Sequence, residues 1–254
     1  MIGLVGASTL IIASFIAAMF STVAGIGGGT MLIGFIILMV DFALVLPVYG
    51  AIQMVSGGSR VWFFRKHVDW SMFVTFGIAF IPGAILGGLI WVYFVNTEEA
   101  QPYIKMLIAI YLLLYLKFSN YRVATGNQTR LLLISGGLCG FAALTVGAVG
   151  AVIAPFVDAL ELKKERAVAA IGVMSIFSNI IKLPLLLVIA DRVDWTLAII
   201  IGGMCLATFC GVYAGRSAQK YVSEAQFRHL FRIVLMVLGI KLLVWDGLRV
   251  VSLQ

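Results

Sequence analysis

IGLVGASTLIIASFIAAMFSTVAGIGGGTMLIGFIILMV, residues 2–40, is the stretch whose reading decides the fold. It carries no charged residue, and its apolar pattern is interrupted by a glycine cluster at Gly25–Gly29. As one straight helix it would reach about 58 Å at 1.5 Å per residue. A bilayer's hydrocarbon core is only ~30 Å thick. The stretch therefore reads as two helical pieces joined at the glycines. Whether it crosses the membrane once, or enters and leaves by the same side, sets the architecture of everything after it.

The rest of the chain is of one kind. Of 254 residues, 62% are hydrophobic and 11% charged, against roughly 25% charged in soluble domains. Apolar stretches run from end to end and short charged clusters separate them, so residues 1–254 read as a single all-α integral membrane domain. No Lys or Arg precedes the first apolar run, unlike a cleaved signal peptide, and residues 1–20 are read as part of the fold. The net charge of +7 comes from Lys and Arg in short connections, where membrane topology places them, and no nucleic-acid partner is expected. Cys139, Cys205 and Cys210 lie in apolar stretches without metal-type spacing, and His67 and His229 sit beside basic loop residues. No metal, cofactor or enzymatic activity is expected from them.

An internal repeat orders the chain. Val68-Asp69-Trp70 recurs as Val193-Asp194-Trp195, and Glu99-Ala100-Gln101 as Glu224-Ala225-Gln226, both displaced by 125 residues. Upstream the displacement shortens to 122, aligning Ser56, Gly57 and Arg60 with Ser178, Asn179 and Lys182. Two homologous halves result, about 8–118 and 130–249. Each opens with a glycine-broken stretch, 2–40 or 131–160. Spans near 42–64, 70–95 and 102–118 follow in the first half, and near 167–190, 195–215 and 224–248 in the second.

Loop charges choose between the two topologies. If each broken stretch crosses once, Lys and Arg divide seven against eight between the faces. If each is re-entrant, one face collects Arg65, Lys66, Lys117, Arg122, Arg130, Lys163, Lys164, Arg166, Arg216, Lys220, Arg228 and Arg232, and the other only Lys105, Arg192 and Arg249. Cytoplasmic loops carry the excess of Lys and Arg. The halves thus read as inverted repeats, each a re-entrant pair of half-helices plus three transmembrane helices, with both termini outside. Trp91, Tyr93, Tyr103, Trp195 and Trp245 would mark the outer interface. Trp62, Trp70, Tyr115, Tyr121 and Tyr221 would mark the inner one.

Inverted repeats with broken helices are the build of secondary transporters, which bind substrate near the midplane where the broken helices meet. The tips here contain Gly27, Gly28, Gly29 and Thr30 in one half and Thr145, Val149 and Gly150 in the other. A second half-helix starting near Gly28 or Val149 points unpaired N–H groups and the positive dipole end at the tip, which suits an anion. Thr30, Thr145 and Ser21 add hydroxyls. Charges inside spans are costly and usually functional. Lys182 lies deepest. Arg60, its repeat partner, is nearer the inner end and within snorkelling reach of the interface. Lys241, near the outer end, is read as snorkelling or pairing with Asp246. Gln53, Ser56 and Asn179 are placed to hydrogen-bond an oxyanion, although polar groups here also serve as glue between helices. No carboxylate lies mid-span, and Asp158 stands toward the end of a half-helix.

The motifs Gly25-Ile26-Gly27-Gly28-Gly29-Thr30 and Gly147-Ala148-Val149-Gly150-Ala151-Val152-Ile153-Ala154-Pro155, on a duplicated chain of this length, resemble the TauE/SafE sulfite exporter family, also called the toluene-sulfonate uptake permease family. Two departures stand out. Gly34 occupies the place that Pro155 has in the second motif, and Ala148 and Val149 stand where glycines are common. The resemblance implies a multi-pass protein of the inner (cytoplasmic) membrane that moves sulfite or a small organosulfonate, commonly outward. The expected partners are a small sulfur-containing anion and the lipid bilayer. A small-anion channel using the same site is the alternative, and a homodimer is left open.

Overall fold

The computed structural model describes residues 3–24, 28–95, 110, 127–145, 147, 149, 152–153, 156–157, 160, 162, 164–184, 193–218 and 236. Seven helices are described: α1 (Leu4–Ala24), α2 (Gly28–Met39), α3 (Phe42–Phe64), α4 (Trp70–Val95), α5 (Gln128–Thr145), α6 (Lys164–Ile180) and α7 (Trp195–Ala218), with a 3-10 turn at Arg65–His67. There is no strand among the described residues. Apart from Ile110 and Met236, the spans near 102–118 and 224–248 fall outside them, as do the glycine tip at 25–27, Gly150, Asp158 and Lys241.

The 2–40 stretch is broken where the glycines stand. Helix α1 ends at Ala24 and α2 begins at Gly28. The chain reverses there, because Gly28 lies directly against the Ala17 carbonyl and Ser21 of α1. A Cβ on residue 28 would strike that carbonyl, so the fold-back requires glycine at this place. The two pieces differ in length, where two half-helices were expected. Helix α1 has 21 residues, about 32 Å, and is long and apolar enough to cross a membrane, as are the spans at Phe42–His67, Trp70–Tyr93 and Trp195–Ala218. Helix α2, with 12 residues, reaches only about 18 Å. The second broken stretch has the same plan. Helix α5 ends at Thr145, Gly147 takes a left-handed φ of +84°, and its N–H donates back to the Ala142 carbonyl at 3.0 Å. The Val149 carbonyl then accepts from Val152 and Ile153, both at 3.0 Å, which starts a new helical turn.

The repeated Val-Asp-Trp motif has a local cause. Asp69 Oδ1 accepts from the Ser71 amide at 3.1 Å and the Ser71 hydroxyl at 2.8 Å, and Asp194 Oδ1 accepts from the Leu197 amide at 2.7 Å. Both aspartates thus satisfy amides that the first turn of a helix leaves unpaired. Asp41 does the same for α3 through the Ala43 amide at 3.0 Å. The tryptophans that follow, Trp70 and Trp195, are exposed at the same helix starts. Trp62 and Tyr93 also face outward, whereas Trp91 is buried and packs on the Phe42 ring at 5.2 Å. The Trp91 ring thus packs inside the bundle rather than on its surface.

Packing links helices far apart in the chain. Helix α4 packs along α5, α7 packs along α1, and α3 packs against α6. Lipid tails are as apolar as Leu, so such contacts depend on close backbone approach at small residues. Side chains at Gly136 and Gly140 would strike the Phe76 and Phe80 carbonyls, and at Gly83 and Gly87 the Gly137 and Phe141 carbonyls. On the other seam, Gly211 and Gly215 face the Phe15 and Met19 carbonyls. Where α3 crosses α6, a Cβ on Gly57 would lie 2.9 Å from the Gly172 carbonyl. This last seam brings the polar faces of α3 and α6 together.

Candidate anion site between the two halves

Tyr49, Gln53, Ser56 and Arg60 recur at the three- and four-residue spacing that puts side chains on one helix face. All four are buried on α3. On α6 and the turn after it, Ser175, Ser178, Asn179 and Lys182 follow the same spacing and are also buried. The two sets interlock reciprocally. A Cβ on Gly50 would lie 2.8 Å from Lys182 Cβ, and one on Gly172 would lie 3.1 Å from Arg60 Cβ. Gly50 and Gly172 are displaced by the same 122 residues as Arg60 and Lys182.

The two cations are bound differently. Arg60, 3% exposed, donates from Nη2 to Ser21 Oγ at 2.9 Å and Ser56 Oγ at 2.7 Å, while its Nε has no hydrogen-bond partner among the described residues. The side chain is sealed inside, so it does not snorkel. Lys182 is fully buried, and its Nζ donates to the Gly147 carbonyl at 2.6 Å and to Asn179 Oδ1 at 2.8 Å, with the Tyr49 ring 4.8 Å away. No carboxylate pairs with either cation among the described residues. A buried charge without a partner is strongly disfavoured, so a positive site of this kind favours an anion.

Two small cavities flank Arg60. One, of about 30 Å3, is lined by Ser21, Gly29, Tyr49, Gln53 and Arg60 from the first half and by Val149, Ile153, Ile171, Ser175 and Asn179 from the second. The other, of about 10 Å3, is lined by Ser14, Gly28, Gly29, Gln53, Ser56, Arg60 and Thr208 among others. Thr208 is 1% exposed and its Oγ1 has no partner among the described residues. Gln53 Nε2 donates to the Tyr49 hydroxyl at 3.2 Å. Asn179 Nδ2 donates to the Ser175 carbonyl at 2.6 Å and to Ser175 Oγ at 3.3 Å. A side chain at Gly29 would lie 2.6 Å from both Gln53 Nε2 and the Tyr49 hydroxyl, so glycine there keeps the backbone against the polar pair.

Of the residues named from sequence, Gly28, Gly29, Gln53, Ser56, Arg60, Val149 and Asn179 meet around these cavities. Lys182 lines neither, and stands behind Asn179 holding the second tip. Thr30 is fully buried one position beyond Gly29 and also lines neither. Thr145 turns its hydroxyl back to the Phe141 carbonyl of its own helix at 2.8 Å. Gly27 and Gly150 lie outside the described residues. Sequence reasoning missed Tyr49, Ser175 and Thr208. The first two were within reach, since they precede Gln53 and Asn179 by one helical turn. Thr208 arrives from α7, and nothing along the chain signals that approach. Among the described residues no group of three or more His, Cys, Asp or Glu is placed to hold a metal.

Comparison with known proteins supplies one match. The model of the family described as Sulfite exporter TauE/SafE matches residues 10–242. No curated protein and no solved structure matches the chain. A match across nearly the whole length, on a chain whose described residues are mainly helical and hold four helices able to cross a membrane, settles the assignment: this chain is a multi-pass membrane transporter, not an enzyme, and belongs to the TauE/SafE sulfite exporter family.

Proposed function

We propose that the chain is a secondary transporter that carries sulfite or a small organosulfonate outward across the cytoplasmic membrane, with the anion bound at Arg60 between the two halves. One observation carries the reading: a buried guanidinium beside two inter-half cavities, with an N–H left over and no carboxylate paired to it among the described residues. Gln53, Ser56 and Asn179 orient the oxygens, and the backbone at Gly28–Gly29 and Val149 approaches from the two tips. The family supports the sulfur oxyanion. Lys182 acts beside the site by holding the second tip.

Inverted repeats joined at α3 and α6 suit this mechanism. Their support is reciprocal contact, each half's cation against the other half's glycine, which is what a two-fold relation produces. The excess of Lys and Arg on one face supports the orientation, with both termini outside. The two cavities are small, about 30 and 10 Å3. On this reading the α3–α6 seam parts to admit the anion, and opening it alternately to each side carries the anion across.

The test is flux in proteoliposomes. Saturable sulfite or sulfonate movement, with labelled anion driven by counterflow, is expected. Flux that rises linearly with concentration and shows no counterflow would assign a channel. Absence of movement for every sulfur oxyanion, in protein shown to be folded, would remove the substrate class.

A further inference from the structure

A third hollow lies away from the anion site. It is a groove of about 500 Å3 at one end of the bundle, where the end of α3 and the turn Arg65–His67 meet Glu165 at the start of α6 and Arg216 at the end of α7. None of its lining residues lines either cavity beside Arg60. Three of its lining groups, Arg65, Lys66 and Arg216, are cationic side chains, against the single carboxylate Glu165. Both guanidinia are held on aromatic faces, Arg65 over Trp62 at 5.2 Å and Arg216 over Phe63 at 5.4 Å. Among the described residues neither has an ion-pair partner. Stacking fixes the plane of a guanidinium and leaves its N–H edge for a planar or tetrahedral oxyanion. Arg65 and Arg216 thus present two prepared donor edges to one space.

The level of the groove identifies the anion. Here apolar helices long enough to span a membrane end in charge, and Trp62 and Trp70 are 66% and 64% exposed. Exposed tryptophans beside Arg and Lys mark the headgroup layer. A basic hollow between helix ends at that layer faces the phosphates of the leaflet, and 500 Å3 lies within the 300–1,000 Å3 that enclose a small ligand. We propose that this groove binds the phosphate of an anionic phospholipid headgroup, held by Arg65 and Arg216 with Lys66 beside them. The site ties the ends of α3, α6 and α7 to one lipid. It is independent of the anion carried at Arg60.

Competition between lipids in native mass spectrometry tests it. The full chain in detergent is offered equal amounts of phosphatidylglycerol and phosphatidylcholine, and the bound ratio is read. The wild type is expected to retain phosphatidylglycerol. Each cation is expected to contribute about fivefold, which is ~1 kcal/mol, so the R65Q/R216Q variant should lose about twenty-five-fold of the preference. Arg130→Gln removes an exposed charge from the first turns of α5, outside the groove, and should keep it. If the double variant does not fold, R216Q alone should show the fivefold loss. Equal preference in wild type and groove variants would overturn the proposal, as would an equal loss in Arg130→Gln. So would inorganic phosphate that binds the protein in phosphatidylcholine alone through Arg65 and Arg216, since the groove would then serve a soluble anion.

Discussion

Arg60 on α3 and Lys182 just beyond α6 stand at matching places in the two halves, each against a glycine of the other helix, and they use their charge in opposite ways. Arg60 is held by two serine hydroxyls and keeps an N–H in reserve beside the cavities. Lys182 is committed to the Gly147 carbonyl and Asn179, and so fixes the tip of the second broken stretch. The side chains suit the roles. A guanidinium has five N–H donors in a rigid fork, whereas an ammonium has three on a flexible stem. The two cations stand 122 residues apart in the chain, and their partners leave one with an N–H over and the other fully engaged.

That contrast can be broken experimentally. The largest effect is expected from Arg60→Gln, which keeps hydrogen-bonding capacity but removes the charge. Anion affinity, read as thermal stabilisation of purified protein by sulfite, should fall at least about a hundredfold, the scale of losing a buried charge-assisted contact worth ~3 kcal/mol. Retained affinity would move the site away from α3. Lys182→Gln should do less. A glutamine amide can still donate to Gly147 or Asn179, so affinity should stay within about tenfold while transport slows, a split between binding and rate that a direct ligand would not show. Equal losses in both variants would make the two cations equivalent and end the distinction.

The smallest effect concerns the ends of the matched spans. Asp69→Ala should cost ~1 kcal/mol, typical of a lost N-cap, visible as a lower melting temperature with anion affinity unchanged. Hydrogen bonds from Ser71 hold the Asp69 carboxyl below its ordinary range. Its folded-state value is therefore below the unfolded one, near 3.9. The stabilisation is present above that value and is lost as pH falls through the folded one, so the gap between wild type and variant should close in acid. A gap constant across that range would mean that Asp69 acts otherwise than as a cap.

Much of this was legible in the sequence because the membrane makes the reading simple. Apolar length marks α3, α4 and α7, and their starts fall where the sequence puts them, at Phe42, Trp70 and Trp195. Helix α6 begins at Lys164, three residues before the expected 167, and ends at Ile180; the chain turns at Ile181 and Lys182 and is helical again at Leu183 and Pro184, and the expected end at 190 lies outside the described residues. A glycine cluster marks a break but not the lengths on either side, which is why α1 proves long enough to cross alone. The face Gln53-Ser56-Arg60 follows from helical spacing. Thr208 does not, because its approach depends on how α7 packs along α1. Depth along the span singles out Lys182 in the sequence, but the hydrogen-bond partners that distinguish Lys182 from Arg60 come from other segments, Ser21 and Gly147, and spacing does not show them.

The seams between distant helices bear on how the protein is made. Helix α1 leaves the ribosome first, yet its long neighbour α7 begins only at Trp195, about 170 residues later. At about 5–20 residues per second, α1 waits roughly 10–30 seconds before the Gly211 and Gly215 seam can form. A chain cut short before α7 lacks the glycine seam that closes on Phe15 and Met19, so truncation there should destabilise α1 in the bilayer.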